Sequence, residues 1–246
     1  RLRALAVPLA LPLLMPPIAV PGEGRFELLA VDVGQGTSVL VRTHSHLLVY
    51  DAGPQYSSVS DAGQRLLLPL LRARGEQRID RLVLSHRDPD HVGGAKALLQ
   101  SLPVGDLSSS LEDGHPLLAL AKVQERCVGG QSWLWDGVRF DVLQPPAEAY
   151  GAGLKTNAMS CVLRVSSARS GSALLTGDIE RAQEEALVAT LGSALASDVL
   201  VAPHHGSKTS SSEDFVARVH PDTVVFTVGY RNHYGHPKPE IVERYR

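Results

Sequence analysis

The part of this sequence that most constrains its fold is residues 85–94, where metal-binding side chains directly follow an apolar segment. The segment at 79–84 is followed by four potential ligands: His86, Asp88, Asp90 and His91. A short apolar run that ends in clustered ligands is typical of a β-strand that presents them at its carboxyl end. Val-Gly-Gly-Ala comes next and allows a tight turn into a helix, which we predict over 92–100.

The spacing of these ligands predicts two metal ions rather than one. Two ligands at i and i+2, followed by two adjacent ones, cannot all point at a single ion. They suit a pair of ions, an arrangement that clamps both oxygens of a phosphoryl transfer. The alternative is a solvated acidic loop with two incidental histidines, and three further motifs downstream argue against it.

Composition sets broad limits on the kind of protein. The chain of 246 residues is long enough for one sizeable core, and its 43% hydrophobic and 20% charged content is ordinary for a globular protein. Its net charge of −2 means that any contact with nucleic acid must be a local patch. Cys127 and Cys161 form no CxxC motif, so we expect two buried small hydrophobic residues rather than a disulfide or a ligand pair.

The N-terminal segment differs from the rest of the chain. Residues 4–20 carry no charge and are rich in Leu, Ala, Val and Pro. We interpret residues 1–22 as the end of a transmembrane segment with its linker and 23–246 as the main domain; a signal peptide is the alternative. Two arginines ahead of the apolar stretch favour a domain on the non-cytoplasmic side of a membrane. The chain stops inside an apparently helical run, 239–246, so we expect a truncated C-terminus.

Hydrophobic patterning indicates a strand-rich first half, a hairpin-rich middle and a βαβα close. Strands are predicted at 26–33, 38–43, 46–51, 79–85, 124–128, 138–143, 161–166, 172–176, 198–202 and 222–228. Helices are predicted at 63–74, 92–100, 115–122, 180–191 and 212–219. This order favours an α/β (α+β) protein with two sheets sandwiched between helices.

Two aspartates lie at the ends of predicted strands, one before a glycine turn and one directly after a glycine. Tyr-Asp-Ala-Gly places Asp51 at a strand end. There it can hydrogen-bond a histidine of residues 85–94, which we call the ligand loop, and fix the tautomer of that histidine. Leu-Thr-Gly-Asp places Asp178 where its two oxygens can bridge two metals. An ordinary strand-end turn, or a helix N-cap at Asp178, are the alternative interpretations.

Two histidine-containing motifs follow later strands. His204 and His205 come after 198–202, and because adjacent side chains diverge we expect one of them, His205, to be a ligand and the other to donate a proton or hydrogen bond. His236 lies in Asn-His-Tyr-Gly-His-Pro after 222–228, where polar groups can face the same site and hold a phosphate. A plain C-terminal polar loop is the alternative for that segment.

These motifs together resemble the metallo-β-lactamase superfamily, which implies an αββα sandwich. The usual signature of that superfamily is His-x-His-x-Asp-His, and here Asp88 replaces its second histidine. A carboxylate makes the site harder and more anionic, which favours Mn²⁺ or Mg²⁺ over Zn²⁺, although Zn²⁺ stays an option. The superfamily's third histidine ligand would fall near Asn157 or Ser160, where this chain has none.

Within the superfamily, the ordered set of motifs is similar to the soluble C-terminal domain of ComEC-type competence proteins. The matching elements are Asp32-Val-Gly-Gln-Gly, Tyr50-Asp-Ala-Gly, Ser85-His-x-Asp-x-Asp-His-x-Gly-Gly, Leu175-Thr-Gly-Asp, Pro203-His-His-Gly-Ser and Asn232–Pro237. The likeness runs from about residue 5 to 238. It departs at Thr37, where that family usually has an acidic residue.

The resemblance implies a nuclease domain of a DNA-uptake channel in the bacterial cytoplasmic membrane. One DNA strand would be held through its phosphates and hydrolysed by a hydroxide activated by two divalent ions. The partners would be single-stranded DNA, the membrane, a channel domain and other competence proteins. The alternatives are a metallohydrolase of the same fold that acts on a small phosphodiester or ester, and a non-catalytic module that binds DNA or gates a channel.

The residues that we predict for the site fall into three groups. The metal ligands are His86, Asp88, Asp90, His91, Asp178 and His205. The catalytic candidates are Asp90, His204 and His236. Residues that support the ligands or contact substrate are Asp32, Asp51, Asn157, Ser160, Ser207 and Asn232.

Overall fold

The computed structural model describes residues 20–246. Its strands form two six-stranded mixed sheets and a small two-stranded hairpin. The first sheet and its helices come from the N-terminal half of the chain. In chain order these elements are β1 (Glu27–Ala30), β2 (Val39–Arg42), β3 (Leu47–Tyr50), the hairpin β4 (Gln55–Ser57) and β5 (Ser60–Asp61), α1 (Leu68–Ala73), β6 (Ile79–Leu84), α2 (Pro89–Val92), α3 (Ala95–Ser101), β7 (Val104–Ser109) and β8 (Gln124–Arg126).

The second sheet comes from the C-terminal half. Its elements are β9 (Ser132–Trp135), β10 (Val138–Gln144), β11 (Val162–Ser167), β12 (Gly171–Leu175), α4 (Arg181–Leu191), β13 (Val199–Val201), α5 (Glu213–Val219), β14 (Thr223–Val225) and α6 (Pro239–Arg244). The strand order is β1-β2-β3-β6-β7-β8 in the first sheet and β14-β13-β12-β11-β10-β9 in the second. Strands β3, β6, β7 and β8 run parallel to one another, as do β12, β13 and β14.

Three hydrophobic clusters define the layers of the fold. One lies between the first sheet and its helices, one between the two sheets, and one between the second sheet and the helices α4 and α5. Alternation along β10 shows how the sequence builds the central layer, since Val138, Phe140 and Val142 are buried while Arg139 points outward. The αββα sandwich predicted from the sequence is confirmed.

Some predicted elements are wrong. The helix expected over 115–122 is only a short helical turn at Leu118–Leu120. The strands β7 and β9 and the hairpin β4–β5 were not predicted. Strand β7 reads Val-Gly-Asp-Leu-Ser-Ser and has little β propensity, so its conformation comes from pairing with β6 on one side and β8 on the other.

The expectation of two separate cysteines is also wrong. Cys127 follows β8 of the first sheet, Cys161 precedes β11 of the second, and the two form a disulfide with their Cα atoms 6.0 Å apart. The contact depends on how the two sheets face each other, which no local pattern around either cysteine specifies. Tyr50 of the first sheet adds a second link across the same layer, because its hydroxyl donates to the Cys161 carbonyl at 2.6 Å.

The predicted membrane segment lies almost entirely in residues 1–19, outside the described part of the chain. Within residues 20–246, no helix combines the length and the apolar character needed to cross a bilayer. The division at residue 22 therefore stays a prediction.

Candidate metal centre

The carboxyl ends of parallel strands bring the predicted ligands together. Asp51 directly follows β3 and His86 lies just beyond β6 in the first sheet, while Asp178 follows β12 and His205 follows β13 in the second. Parallel strands end at the same edge of a sheet. The four loops therefore meet where the corresponding edges of the two sheets approach each other.

Asp178 is the centre of this cluster. Its Oδ1 lies 3.1 Å from His91 Nε2 and 3.5 Å from His205 Nε2. Its Oδ2 lies 3.9 Å from His86 Nε2 and 3.8 Å from His204 Nε2. Both histidines of the His204-His205 pair thus face Asp178, and the two carboxylate oxygens divide four imidazoles into two groups.

Each of the four imidazoles is held through its other nitrogen. His91 Nδ1 lies 2.7 Å from Asp51 Oδ2, and His86 Nδ1 lies 2.9 Å from Ser85 Oγ. His205 Nδ1 lies 2.9 Å from the Thr227 carbonyl. His204 Nδ1 lies 3.1 Å from Thr209 Oγ1 and 3.3 Å from Glu180 Oε1. These contacts fix ring orientation and leave Nε2 directed at the centre.

The buried atoms at the centre have the character of metal ligands. Within residues 20–246, Nε2 of His86, His91 and His205 and Oδ1 of Asp178 are buried without a hydrogen-bond partner of good geometry. Unpaired buried polar atoms cost free energy and are rare in folded proteins. Two groups have ligand atoms within 4.8 Å of one another: His86, His91 and Asp178, and Asp90, His91 and His205. The residues present fit divalent metal ions.

The electrostatics keep the acidic ligands ionised. Burial acts to raise the pKa of Asp178, but the nearby imidazoles of His91 and His205 hold that pKa well below its usual value. Burial likewise acts to raise the pKa of Asp90, but the His205 imidazole, whose Nε2 lies 3.2 Å from Asp90 Oδ2, still lowers that pKa. The pKa of Asp88 is lowered chiefly by the nearby His86 imidazole, whose Nε2 lies 3.7 Å from Asp88 Oδ2. Three carboxylates that stay charged are suited to cation binding.

Three residues at the site adopt left-handed backbone conformations. The φ angles are 57° at Asp51, 48° at His204 and 54° at His205. Such angles are uncommon outside glycine and cost about 1–3 kcal/mol each when they are strained. At His204 and His205 the unusual backbone turns two adjacent rings towards Asp178, so the expectation that these side chains diverge is wrong.

Asp51 is the main support of the ligand loop. Its side chain is fully buried and accepts hydrogen bonds from the Ser85 amide and the Ser85 hydroxyl, both at 2.7 Å, in addition to its contact with His91. The predicted supporting role of Asp51 matches this geometry. Ser85 was not assigned a role, although it directly precedes His86 in the sequence.

The Gly-Gln-Gly turn supports the same loop from the other side. Gly36 has φ 140°, and a Cβ at this position would lie 2.3 Å from the Asp90 carbonyl, so only glycine fits. Thr37 donates its amide to the Asp90 carbonyl at 3.1 Å. Its Oγ1 lies 2.9 Å from Thr227 Oγ1, and Thr227 holds His205. Thr37 therefore supports two ligands at once.

The other predicted supporting residues differ in their distance from the centre. Ser160 accepts a hydrogen bond from the Asp178 amide at 3.0 Å and lies 3.4 Å from His86 Nδ1. Asp32 is exposed, and among residues 20–246 its side chain accepts a hydrogen bond only from the Gly34 amide in its own turn. Asn157 begins a short helical turn, and its one side-chain hydrogen bond among the described residues is to Thr156.

Ser207 and Asn232 brace the loops that carry histidines. Ser207 donates its amide to the His204 carbonyl at 2.8 Å. Asn232 donates its side-chain amide to the His236 carbonyl at 2.6 Å and accepts from the His236 amide at 3.0 Å. The His236 ring lies 6.2 Å from that of His204, and burial together with the positive charge of Lys238 lowers its pKa.

Sequence reasoning missed Glu180, Thr209 and Thr227, which hold the Nδ1 atoms of His204 and His205. None of these residues lies in a motif with metal-ligand spacing. Glu180 follows Asp178 by two residues, which was the only local signal available.

The fold and this cluster define a class of protein. The chain belongs to the metallo-β-lactamase superfamily, whose family model matches residues 31–228. The superfamily fold supports a metal-dependent hydrolase, and the His and Asp groups described above are its candidate ligands.

Among curated proteins, the chain is similar to competence proteins. It is 40% identical over 231 residues to competence protein ComA of Neisseria gonorrhoeae, which covers 94% of this chain and 31% of that protein. It is 34% identical over 214 residues to recombination protein 2 of Haemophilus influenzae, which covers 87% of this chain and 26% of that protein. The chain thus spans less than a third of the length of these relatives. The predicted resemblance to ComEC-type proteins is confirmed.

A solved structure supports the fold. The diiron β-hydroxylase CmlA from Streptomyces venezuelae matches with a TM-score of 0.58 at 15% identity, over 92% of this chain and 51% of that one. At this identity the match shows the fold alone.

Proposed function

We propose that this chain is the nuclease domain of a DNA-uptake channel and hydrolyses one DNA strand in a reaction that depends on two divalent metal ions. The observation that carries the proposal is the set of Nε2 atoms directed at the two oxygens of Asp178. A carboxylate with separate imidazoles at each oxygen suits a pair of ions that share one bridging ligand. The similarity to competence proteins supports DNA as the substrate.

The ligands divide between the two positions. His86, Asp88 and Oδ2 of Asp178 would hold the first ion, since Asp88 Oδ2 lies 3.7 Å from His86 Nε2. Asp90, His91, His205 and Oδ1 of Asp178 would hold the second, since His205 Nε2 lies 3.2 Å from Asp90 Oδ2 and 3.5 Å from Asp178 Oδ1. When bound, two such ions supply an ionised water at neutral pH and neutralise charge on the phosphoryl oxygens. The carboxylate at Asp88 favours Mn²⁺ or Mg²⁺.

In this proposal His204 acts as the general acid. It is half-buried, its Nε2 faces Asp178, and its Nδ1 lies beside the Glu180 carboxylate. The contacts at Nδ1 with Thr209 and Glu180 fix the ring and direct Nε2 at the site. His204 can then protonate the leaving oxygen, while His236 lies beside it and helps to position the phosphate.

The relatives support a cellular setting for this proposal. Competence proteins that this chain resembles are more than three times longer, which leaves room for a channel. We place the chain at the bacterial cytoplasmic membrane through residues 1–22, with residues 23–246 on the non-cytoplasmic side. Single-stranded DNA, the membrane and other competence proteins are the partners in this proposal.

A nuclease assay tests the proposal. The protein is incubated with 5′-labelled single-stranded DNA in Mn²⁺, Mg²⁺, Zn²⁺ or EDTA. We expect cleavage in Mn²⁺ that is abolished by EDTA and by Asp90→Ala. The exposed Asp222 precedes β14, so Asp222→Ala is a matched control that should retain activity.

Two results would contradict the nuclease. One is a folded, metal-loaded protein that leaves DNA intact under every condition, which points to a binding or gating module. The other is cleavage of a chromogenic phosphodiester without cleavage of DNA, which points to a small-molecule hydrolase.

A further inference from the structure

A cavity opens beside the metal centre, next to His86. Its volume is about 400 Å³, and Arg87, Arg126, Tyr150, Leu154, Thr156 and Met159 are among its lining residues. Small-ligand pockets have volumes of about 300–1,000 Å³. The cavity therefore has room for a small ligand or for one unit of a polymer, but a base that is paired and stacked in a duplex cannot enter it.

Two arginines give the cavity its charge character. Arg87 Nη1 lies 3.4 Å from Glu112 Oε1, and Arg126 Nη2 lies 2.5 Å from Asp113 Oδ1. All four side chains are substantially exposed, at 55% and 51% in the first pair and 47% and 84% in the second. Exposed ion pairs contribute little to stability, so a phosphate can replace either carboxylate at small cost.

An aromatic ring and aliphatic side chains give the cavity an apolar wall. Tyr150 is fixed because its hydroxyl donates to the Cys127 carbonyl at 2.6 Å, and Arg126 Cζ lies 4.7 Å from the centre of its ring. Leu154 is 49% exposed although it lines the same cavity. A fixed ring, a guanidinium and an exposed leucine beside phosphate-binding groups are features that suit an unpaired nucleobase.

We propose that this cavity is a subsite for one nucleotide of a single DNA strand, next to the phosphate that is cleaved. Arg87 and Arg126 hold the phosphate of that nucleotide, and its base lies against Tyr150 and Leu154. The subsite rests on the proposed function, since it takes single-stranded DNA as the substrate. It adds a reason for strand selectivity, because only an unpaired base can occupy the cavity.

Binding measured without metal tests the subsite separately from catalysis. The anisotropy of a fluorescent oligothymidylate is followed in EDTA with the wild-type protein, Arg126→Ala and Leu154→Ser. We expect each variant to bind the oligonucleotide at least about fivefold more weakly than the wild type. For Arg126→Ala, the slope of the logarithm of the binding constant against the logarithm of the salt concentration should be smaller by about one, because one phosphate contact is lost. Asp113→Asn should bind more tightly, because it frees Arg126 and removes a negative charge.

Arg139→Ala is the matched control. Arg139 is 60% exposed on β10, pairs with Asp141 and does not line the cavity, so its replacement should leave binding unchanged within twofold. All substituted side chains are exposed, and thermal unfolding checks that each variant is folded.

An oligonucleotide of the same length that lacks bases tests the apolar wall. The wild type should bind it more weakly than oligothymidylate, and Leu154→Ser should cause no further loss. If Leu154→Ser lost the same affinity for both oligonucleotides, the base-binding role would be overturned. If Arg126→Ala kept wild-type affinity for oligothymidylate, the phosphate-binding role would be overturned.

The two proposals fail in different ways. If metal-dependent cleavage occurs but the cavity variants keep wild-type affinity and KM, the subsite is wrong and the nuclease stands. If the variants lose DNA binding but the metal-loaded wild type never cleaves DNA, the nuclease is wrong, and the cavity is a binding site for single-stranded DNA without a catalytic role.

Discussion

At the scale of single residues, the centre depends on the atoms that hold each imidazole from behind. His91 is held by Asp51, and this contact affects the protonation of the His91 ring. Burial acts to lower the pKa of His91, but the carboxylates of Asp178 and Asp51 outweigh it and raise that pKa well above its usual value. A cation that binds here replaces the proton that these carboxylates attract.

The first prediction concerns Asp51→Asn. An amide can still accept from Ser85, but its NH₂ group cannot accept from His91, so the orientation and basicity of His91 are lost. We expect Mn²⁺ affinity to fall by about 10–100-fold. Asp32→Asn is the control, because Asp32 is exposed and its bond to the Gly34 amide can be made by an asparagine oxygen. Competition titration with a chelator measures the Mn²⁺ affinity of both variants. Equal affinities of Asp51→Asn and Asp32→Asn would contradict the supporting role of Asp51.

The second prediction separates the adjacent histidines. His205 is 3% exposed and lies beside Asp90, whereas His204 is 23% exposed and lies beside Glu180. His205→Ala should abolish binding at one metal position. His204→Ala should keep metal affinity within a few-fold and lower kcat by about 10²–10⁴-fold.

The backbone strain of the two variants is matched, since both positions have similar positive φ angles. Calorimetric metal titration and single-turnover cleavage give the two readouts. The opposite pattern, with metal lost only in His204→Ala, would exchange the two roles.

At the scale of elements, two turns join the sheets at Asp136. The β9–β10 turn carries Asp136, whose Oδ2 accepts from Thr43 Oγ1 and the Ser45 amide, both at 2.6 Å, in the β2–β3 turn. His46 Nδ1 lies 3.0 Å from the same oxygen, and the His46 ring stacks on Trp135 with ring centres 4.8 Å apart. One carboxylate thus links hairpins from different sheets.

The third prediction is a pH dependence at this link. Burial acts to raise the pKa of Asp136, but hydrogen bonds from Thr43, Ser45 and His46 lower it to about 2. Because this pKa is lower in the folded than in the unfolded chain, where it is about 3.9, ionised Asp136 stabilises the fold at pH values above about 4. The stabilisation is lost as the pH falls towards 2 and the carboxylate is protonated. Asp136→Asn should therefore lower the free energy of unfolding by about 1 kcal/mol at pH 7. The difference from wild type should shrink between about pH 5 and 2, as urea unfolding can measure; a constant difference would contradict the assignment.

At the scale of the whole molecule, the candidate metal centre joins the two halves of the chain. The segment after β6 of the first sheet carries His86, Asp88, Asp90 and His91, and the loops after β12 and β13 of the second carry Asp178 and His205. Metal ions that bind across this boundary bind the folded chain, since the unfolded chain does not hold these groups together. Metal binding should therefore stabilise the entire fold.

The fourth prediction is a rise in melting temperature with metal. At a free Mn²⁺ concentration of about 100 times Kd, the native state gains about 2.7 kcal/mol, which for a chain of this length raises Tm by roughly 5–10 °C. Asp178→Asn removes the ligand shared by the two positions and should abolish the rise. Differential scanning calorimetry with and without EDTA gives the comparison, and an equal rise in both proteins would show that the metal binds elsewhere.

The sequence by itself determined the ligand loop, the αββα class and most of the strands. It could do so because local patterns carry that information: an apolar run marks β6, its end carries the ligands, and alternation marks β10. The motif order was also sufficient to indicate the superfamily, which the comparison of residues 31–228 then showed.

Only the tertiary structure decided which distant groups meet. Strand β7 forms because β6 and β8 pair with it, and Cys127 bonds Cys161 because two sheets face each other. Thr227 and Glu180 hold histidines because separate loops converge at the strand ends. Such contacts depend on the packing of whole layers, and side chains that are far apart in the chain leave no periodic or spaced pattern from which to infer them.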